Sequence, residues 1–117
     1  MNKNDLIDRT KSFAIRVFKL VECLPKSKAS DVISYQLLKA APSVAANYRA
    51  STKAKSRADF SYKMKIVLEE ADESNFWLTF IKDLDLLGDQ NELGYLIDEF
   101  SELMAIFTKS VKTLSGG

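Results

Sequence analysis

The 117-residue chain has no histidine, a single cysteine, two prolines and four glycines. The missing histidine excludes His-dependent acid/base catalysis, Ser/His and Cys/His nucleophile pairs, and Cys/His zinc sites within one chain. It also excludes the di-iron carboxylate bundle, which needs a Glu-x-x-His on each of two helices. Cys23 alone supports no internal disulfide framework and fits a reducing cytoplasm. No apolar run approaches the roughly 18 residues of a membrane span, and the start, MNKNDLIDRTK, has no signal-peptide apolar region. What is present is 46% hydrophobic and 28% charged residues, a balance that builds a core and argues against disorder. Surface scaling gives such a chain roughly 6,400 Å² of accessible surface when folded, enough burial for one domain. These features point to a soluble cytoplasmic domain, not an enzyme, with no cofactor, no metal and no membrane contact.

Because helix breakers are scarce, the few that occur divide the chain into four long helical stretches. The first runs from about residue 4 to 24, with Leu6, Phe13, Val17, Leu20, Val21 and Leu24 on one face, and Pro25 ends it. Ser30 suits the N-cap of the second, about 31–54, where Pro42 predicts a kink or break near Ala41. Ser56-Arg57-Ala58-Asp59 reads as a capping box opening the third and longest, about 57–87, with Gly88 suited to its left-handed C-terminal cap. Asp89 to Glu92 begins the fourth, about 90–114. There Leu93, Ile97, Phe100, Met104, Phe107, Val111 and Leu114 repeat at alternating spacings of four and three, as in a left-handed bundle seam. Ser115-Gly116-Gly117 reads as a frayed tail. Long helices with short links make an all-α, antiparallel up-down-up-down four-helix bundle occupying residues 1–117 as one domain.

The third helix carries more apolar surface than one core needs. Phe60, Met64, Val67, Ala71, Leu78 and Ile81 form one stripe; Ile66, Trp77, Phe80, Leu84 and Leu87 form another, rotated by roughly 120°. Either a single wide face serves one core, or the second stripe meets another subunit. The latter predicts a homo-oligomer interface at Ile66, Trp77, Phe80 and Leu84. Asn47 continues the apolar line of the second helix, and Glu70 and Glu73 continue the Ile66–Trp77 line. Such groups need partners, and Tyr48 and Arg49 are the ones nearby for a structural polar network of Asn47, Tyr48, Arg49, Glu70 and Glu73. A metal or ligand site on Glu69, Glu70, Asp72 and Glu73 is disfavoured because adjacent helical acids splay apart.

The segment from Ser43 to Glu73, followed by Phe76-Trp77-Leu78, resembles a known family. Asn47-Tyr48-Arg49-Ala50, Lys55-Ser56-Arg57-Ala58-Asp59-Phe60 and Glu69-Glu70-Ala71-Asp72-Glu73 carry the likeness. It is to the four-helix-bundle proteins encoded by intervening sequences of bacterial 23S rRNA genes, also labelled S23 ribosomal proteins. The accessory variability determinant of diversity-generating retroelements is similar to them. The resemblance implies a compact bundle, a homopentameric ring and no catalytic activity. For the retroelement branch it implies binding to nucleic acid and to a reverse transcriptase.

Charge supplies an independent pointer. Arg49, Lys53, Lys55, Arg57, Lys63 and Lys65 set six cations against Asp59 alone around one end of a helical hairpin, a candidate RNA or DNA surface that would hold phosphates without reading bases. The alternative is an interaction module that grips a protein partner and no nucleic acid. The near-neutral formal charge of +1 is itself a cancellation: residues 1–68 hold 14 Lys/Arg and 5 Asp/Glu, residues 69–117 hold 3 and 11. That asymmetry suits head-to-tail contacts between subunits, or a phosphate-binding side.

Overall fold

Four helices, α1 (Lys3–Val21), α2 (Lys28–Ser51), α3 (Arg57–Asp83) and α4 (Asn91–Ser115), make up the computed structural model, which describes residues 1–115, with side chains to residue 113. Each packs on its chain neighbours, and α4 closes on α1, so the helices stand at the corners of a square in up-down-up-down order. The rod measures 47 × 22 × 21 Å and exposes 7144 Å², more than the roughly 6,400 Å² expected from mass for a rounder shape. Of the expected frayed tail, Ser115 ends α4, while Gly116 and Gly117 lie outside the described residues, as does the side chain of Leu114.

Local chemistry sets the helix ends and corrects several expected boundaries. A reciprocal capping box starts α1: Asp5 N–H donates to Asn2 Oδ1 (3.0 Å) and Asn2 N–H to Asp5 Oδ2 (3.2 Å). The N-cap of α2 is Ser27, not Ser30, because Ser27 Oγ accepts from Ser30 N–H at 3.1 Å, and the helix begins three residues earlier than the sequence suggests. Ser56 caps α3 as expected, but Asp59 returns to Lys55 N–H rather than to Ser56, so only one half of the box forms. At the other ends, α1 stops at Val21 and α2 at Ser51. The next residues tighten into turns whose amides reach back three positions, Cys23 to Leu20 and Ala54 to Ser51 among them.

The end of α3 departs furthest from expectation. Asp85, not Gly88, takes the left-handed backbone, with φ 52°. Leu86 N–H then bonds Ile81 carbonyl (3.2 Å) and Asp85 N–H bonds Lys82 carbonyl (3.1 Å), the paired bonds of a Schellman cap. The helix therefore ends at Asp83, four residues before the expected Leu87, and Leu87 leaves the second stripe to join the core. Pro42 does not break α2, which runs unbroken through it.

The core follows the first α3 stripe, Met64, Val67, Ala71, Leu78 and Ile81, all buried. In α4 the buried line is Leu93, Leu96, Leu103 and Phe107; the expected Ile97 and Met104 are only partly buried. Both lines keep three-and-four spacing, and they differ in phase by one residue at two turns, which spacing alone does not fix. Buried hydroxyls bond close by in sequence, as Thr10 Oγ1 donates to Leu6 carbonyl (2.8 Å), Ser51 Oγ donates to Tyr48 carbonyl (2.6 Å) and Ser30 Oγ accepts from Ser27 Oγ (3.1 Å).

Candidate interaction surfaces

In this topology one end of the rod collects the N-termini of α1 and α3 and the C-termini of α2 and α4. Lys53 and Lys55 in the α2–α3 link and Arg57 at the start of α3 are exposed there. A groove of about 700 Å³ runs between α3 and α4 at this end, lined by Arg57 and Phe60 on one side and Ile106 and Lys109 on the other. Lys109 and Lys112, in the last turns of α4, thus join the cations of the hairpin. The sequence reading missed both because they lie in the acidic half of the chain; the antiparallel order of four helices was the signal that places them. Among the described residues Lys53, Lys55 and Arg57 make no ion pair.

The remaining expected cations diverge. Lys63 is half-buried and bonds Asp59 through Nζ at 2.8 and 2.9 Å, and this contact, aided by Lys55 N–H, holds the Asp59 carboxyl below the usual range. Arg49 turns toward α1 and lines the α1–α2 groove. Lys65 is exposed two turns into α3, on its outer face.

The expected polar network is not brought together, and helix register explains why. In the antiparallel α2–α3 pair, Gln36, Lys39 and Ala40 face Glu69, Glu70 and Glu73 across a shallow pocket. Asn47 lies two turns further along α2, and it bonds locally, Nδ2 donating to Ser43 carbonyl (2.9 Å) and Oγ (3.0 Å). Tyr48 is buried and stacks on Phe107 with ring centroids 5.6 Å apart, and burial pushes its phenol up. Glu70 lies beside Lys39, but desolvation, with Glu73 and Glu69 nearby, holds its carboxyl above the usual range. Glu73 accepts a hydrogen bond from Trp77 Nε1 at 2.9 Å.

Much of the second α3 stripe is uncovered, although Trp77 packs in part against the core. Phe76 is 50% exposed, Phe80 37% and Leu84 51%, and Trp77 and Ile66 are half-buried. Phe76, Trp77 and Phe80 form a ring cluster with centroids 4.9–5.1 Å apart. Elsewhere a groove of about 890 Å³ opens between α1 and α2, where Pro42, Ala45 and Ala46 leave space beside Ile15 and Phe18, both 45% exposed. Small α2 side chains opposite large α1 side chains were its sequence signal. No described helix is long and apolar enough to cross a membrane.

No curated protein matches the chain. A solved structure from Bacteroides thetaiotaomicron, a protein of unknown function from the S23 ribosomal protein family, is similar over 96% of this chain and 99% of its own, with 28% identity and a TM-score of 0.84. The model of the 23S rRNA-intervening sequence proteins matches residues 2–109, and the chain belongs to that family.

Proposed function

We propose that this protein is a non-enzymatic cytoplasmic module that assembles with copies of itself and holds the phosphate backbone of RNA or DNA at the basic end of its bundle. The observation that carries the reading is that Arg57 and Lys109 face one another across one groove, with Lys53 and Lys55 exposed in the adjoining link, and that none of these side chains makes an ion pair among the described residues. Exposed cations without ion pairs, at and beside an open groove, suit a polyanion of variable sequence, because charge attraction needs no base readout. Assembly would repeat this end around a symmetry axis and raise avidity without new contacts. The uncovered α3 stripe and the α1–α2 groove are the surfaces that favour assembly, a pentamer by the family resemblance.

Native mass measurement of protein purified without nuclease treatment, with nucleic-acid and protein absorbance recorded together, tests both parts. The expected result is an oligomer that retains nucleic acid at low salt and releases it at moderate salt. A triple reversal, Lys53→Glu with Lys55→Glu and Arg57→Glu, abolishes retention and leaves the oligomer intact. An assembled protein that retains no nucleic acid at any salt overturns the binding reading. It would favour the second one: a protein-interaction module, such as a reverse-transcriptase partner, using its exposed apolar surface.

A further inference from the structure

The groove between α3 and α4 differs from the other hollows of the rod in what lines it. Along α4, Ile106, Lys109, Ser110 and Thr113 follow one another at three- and four-residue spacings and so share a face. Across from them stand Arg57 and Phe60, three apart at the start of α3. Phe60 and Ile106 are half-buried and also pack on the core, so the floor of the groove is apolar, while Arg57 and Lys109 stand exposed on opposite rims. Ser110 Oγ donates to Ile106 carbonyl (3.0 Å) within its own helix and adds no free donor to that floor.

No carboxylate lines this groove among the described residues. By contrast, the α1–α2 groove holds Asp8 and Glu22, the α2–α3 pocket Glu69, Glu70 and Glu73, and the α1–α4 pocket Glu99. Asp59, the acid nearest in sequence to Arg57 and Phe60, is already held by Lys63 Nζ and Lys55 N–H.

A cationic rim over an apolar floor fits a ligand that is anionic along one edge and flat and apolar along the other, which is the character of an unpaired nucleotide. A duplex offers only half of that. Its phosphates reach Arg57, Lys109 and the neighbouring Lys53 and Lys55, but its bases are paired and stacked inside and do not enter. A single strand can turn a base outward and reach rim and floor together. Contact of a base with an aromatic ring tolerates any sequence, because every base has a π-face. The volume of about 700 Å³ lies within the range of pockets that take small ligands.

We propose that the α3–α4 groove makes the basic end selective for single-stranded nucleic acid, seating one unpaired base between Phe60 and Ile106 while Arg57 and Lys109 hold the flanking phosphates. This inference rests on the nucleic-acid part of the function proposed above and adds which form of nucleic acid is taken. Neither contact involves the sugar, so ribose and deoxyribose strands are accepted alike.

The test is fluorescence anisotropy with a labelled RNA strand of about 12 nucleotides, the same strand annealed to its complement, and its deoxy form. The wild type is expected to bind both single strands at least about fivefold tighter than the duplex. That gap is expected to widen as salt rises, since duplex affinity falls more steeply per phosphate and ring contact is insensitive to salt. Phe60→Leu keeps the floor apolar but removes the ring. With wild-type circular dichroism, it is expected to lower single-strand affinity roughly five- to tenfold at an unchanged salt slope, and to leave duplex affinity within about twofold. Phe60→Trp reports the contact directly: its added fluorescence is expected to be quenched by the single strand and not by the duplex. Trp77, roughly 25 Å further along α3 at about 1.5 Å per residue, gives the wild type a signal that binding leaves unchanged. Wild type that binds neither strand nor duplex at low salt overturns the nucleic-acid reading and this inference together. Wild type that binds the duplex as tightly as the strand or rejects the deoxy strand, Phe60→Leu that weakens both forms alike or neither, or Phe60→Trp fluorescence that the single strand leaves unchanged overturns this inference alone.

Discussion

Arg16 grips Glu92 with two prongs, Nε and Nη2 each 2.7 Å from a carboxylate oxygen, and lays its guanidinium 3.6 Å above the ring of Tyr95. One and two turns away, Arg9 bonds Glu99 in the same forked manner and reaches Glu102 at 3.3 Å. All of these contacts join α1 to α4, the seam with the thinnest packing. The charge asymmetry between the halves of the chain is thus partly consumed inside the subunit, closing the first helix onto the last. What is left for a partner is the basic end and the mixed-sign faces of α1 and α3.

The Arg9–Glu99 fork is the better buried of the two, with side chains 21% and 12% exposed. Arg9→Met keeps much of the apolar stem and strands Glu99, so it should cost roughly 1–2 kcal/mol, read from the shift of a urea midpoint at unchanged slope. Arg16 and Glu92 are more exposed, and their loss should cost less.

Acid should loosen the same seam. The Arg16 hydrogen bonds hold the Glu92 carboxyl below its usual range. A carboxylate with a lowered folded pKa stabilises fully above its unfolded value and loses that contribution as pH falls through the folded one. Stability should therefore drop below about pH 4, and Glu92→Gln should flatten that part of the profile while lowering stability near neutrality.

Asp85 is the residue whose backbone the fold forces. It sits left-handed at φ 52°, where a side chain costs roughly 1 kcal/mol, and its Oδ1 accepts only an exposed hydrogen bond from Gln90 at 2.8 Å. Asp85→Gly should raise stability by about 0.5–1 kcal/mol and Asp85→Ala should lower it. A Cβ at Gly88 meets nothing within 4 Å, and its backbone is not left-handed, so Gly88→Ala should be neutral or mildly stabilising. Thermal unfolding of the three variants separates these outcomes.

That cap also shows where the sequence was legible. Four helices, their order and most of the core could be read because helix breakers are scarce and the apolar residues of α1 and of the first α3 stripe repeat at three-and-four spacing. At the end of α3 the glycine rule pointed to Gly88, but burial of Leu87 and the Leu86 bond to Ile81 demanded the left-handed turn three residues earlier. In α4, apolar residues at 96, 97, 103, 104, 106 and 107 offer two phases of the same repeat, and contact with the other helices decides between them. The polar network failed for a longer-range reason: which α2 residue meets Glu70 depends on register across the α2–α3 pair, and register lies beyond any local window. Tyr48, assigned to that network, instead packs on Phe107, which is fully buried; Phe107→Ala should cost about 3–5 kcal/mol and remove the stacked pair.

Glu70 should behave oppositely to Glu92. Desolvation holds its carboxyl above the usual range, so the folded state binds a proton more tightly there than the unfolded chain does. Such a group is without cost below its unfolded pKa and destabilises progressively as pH rises through the folded value. Glu70→Gln should raise Tm at pH 7 by about one to three degrees and leave it unchanged near pH 3. Equal shifts at both pH values would show that the gain comes from packing and not from ionisation.

Lys109 and Lys112 distinguish a basic end from a basic segment. If phosphates are held only by the α2–α3 hairpin, reversing these two α4 lysines leaves nucleic-acid affinity within about twofold. Because Lys109 shares a groove with Arg57, we expect more: Lys109→Glu with Lys112→Glu should weaken binding and reduce the slope of log affinity against log salt by about one to two. With four to five phosphate contacts in the wild type, affinity for a single strand should fall roughly 50- to 130-fold between 50 and 200 mM salt, and by distinctly less in the double variant. Titration of a short single-stranded RNA by fluorescence anisotropy across that salt range gives both slopes. Equal slopes would confine the site to Lys53, Lys55 and Arg57.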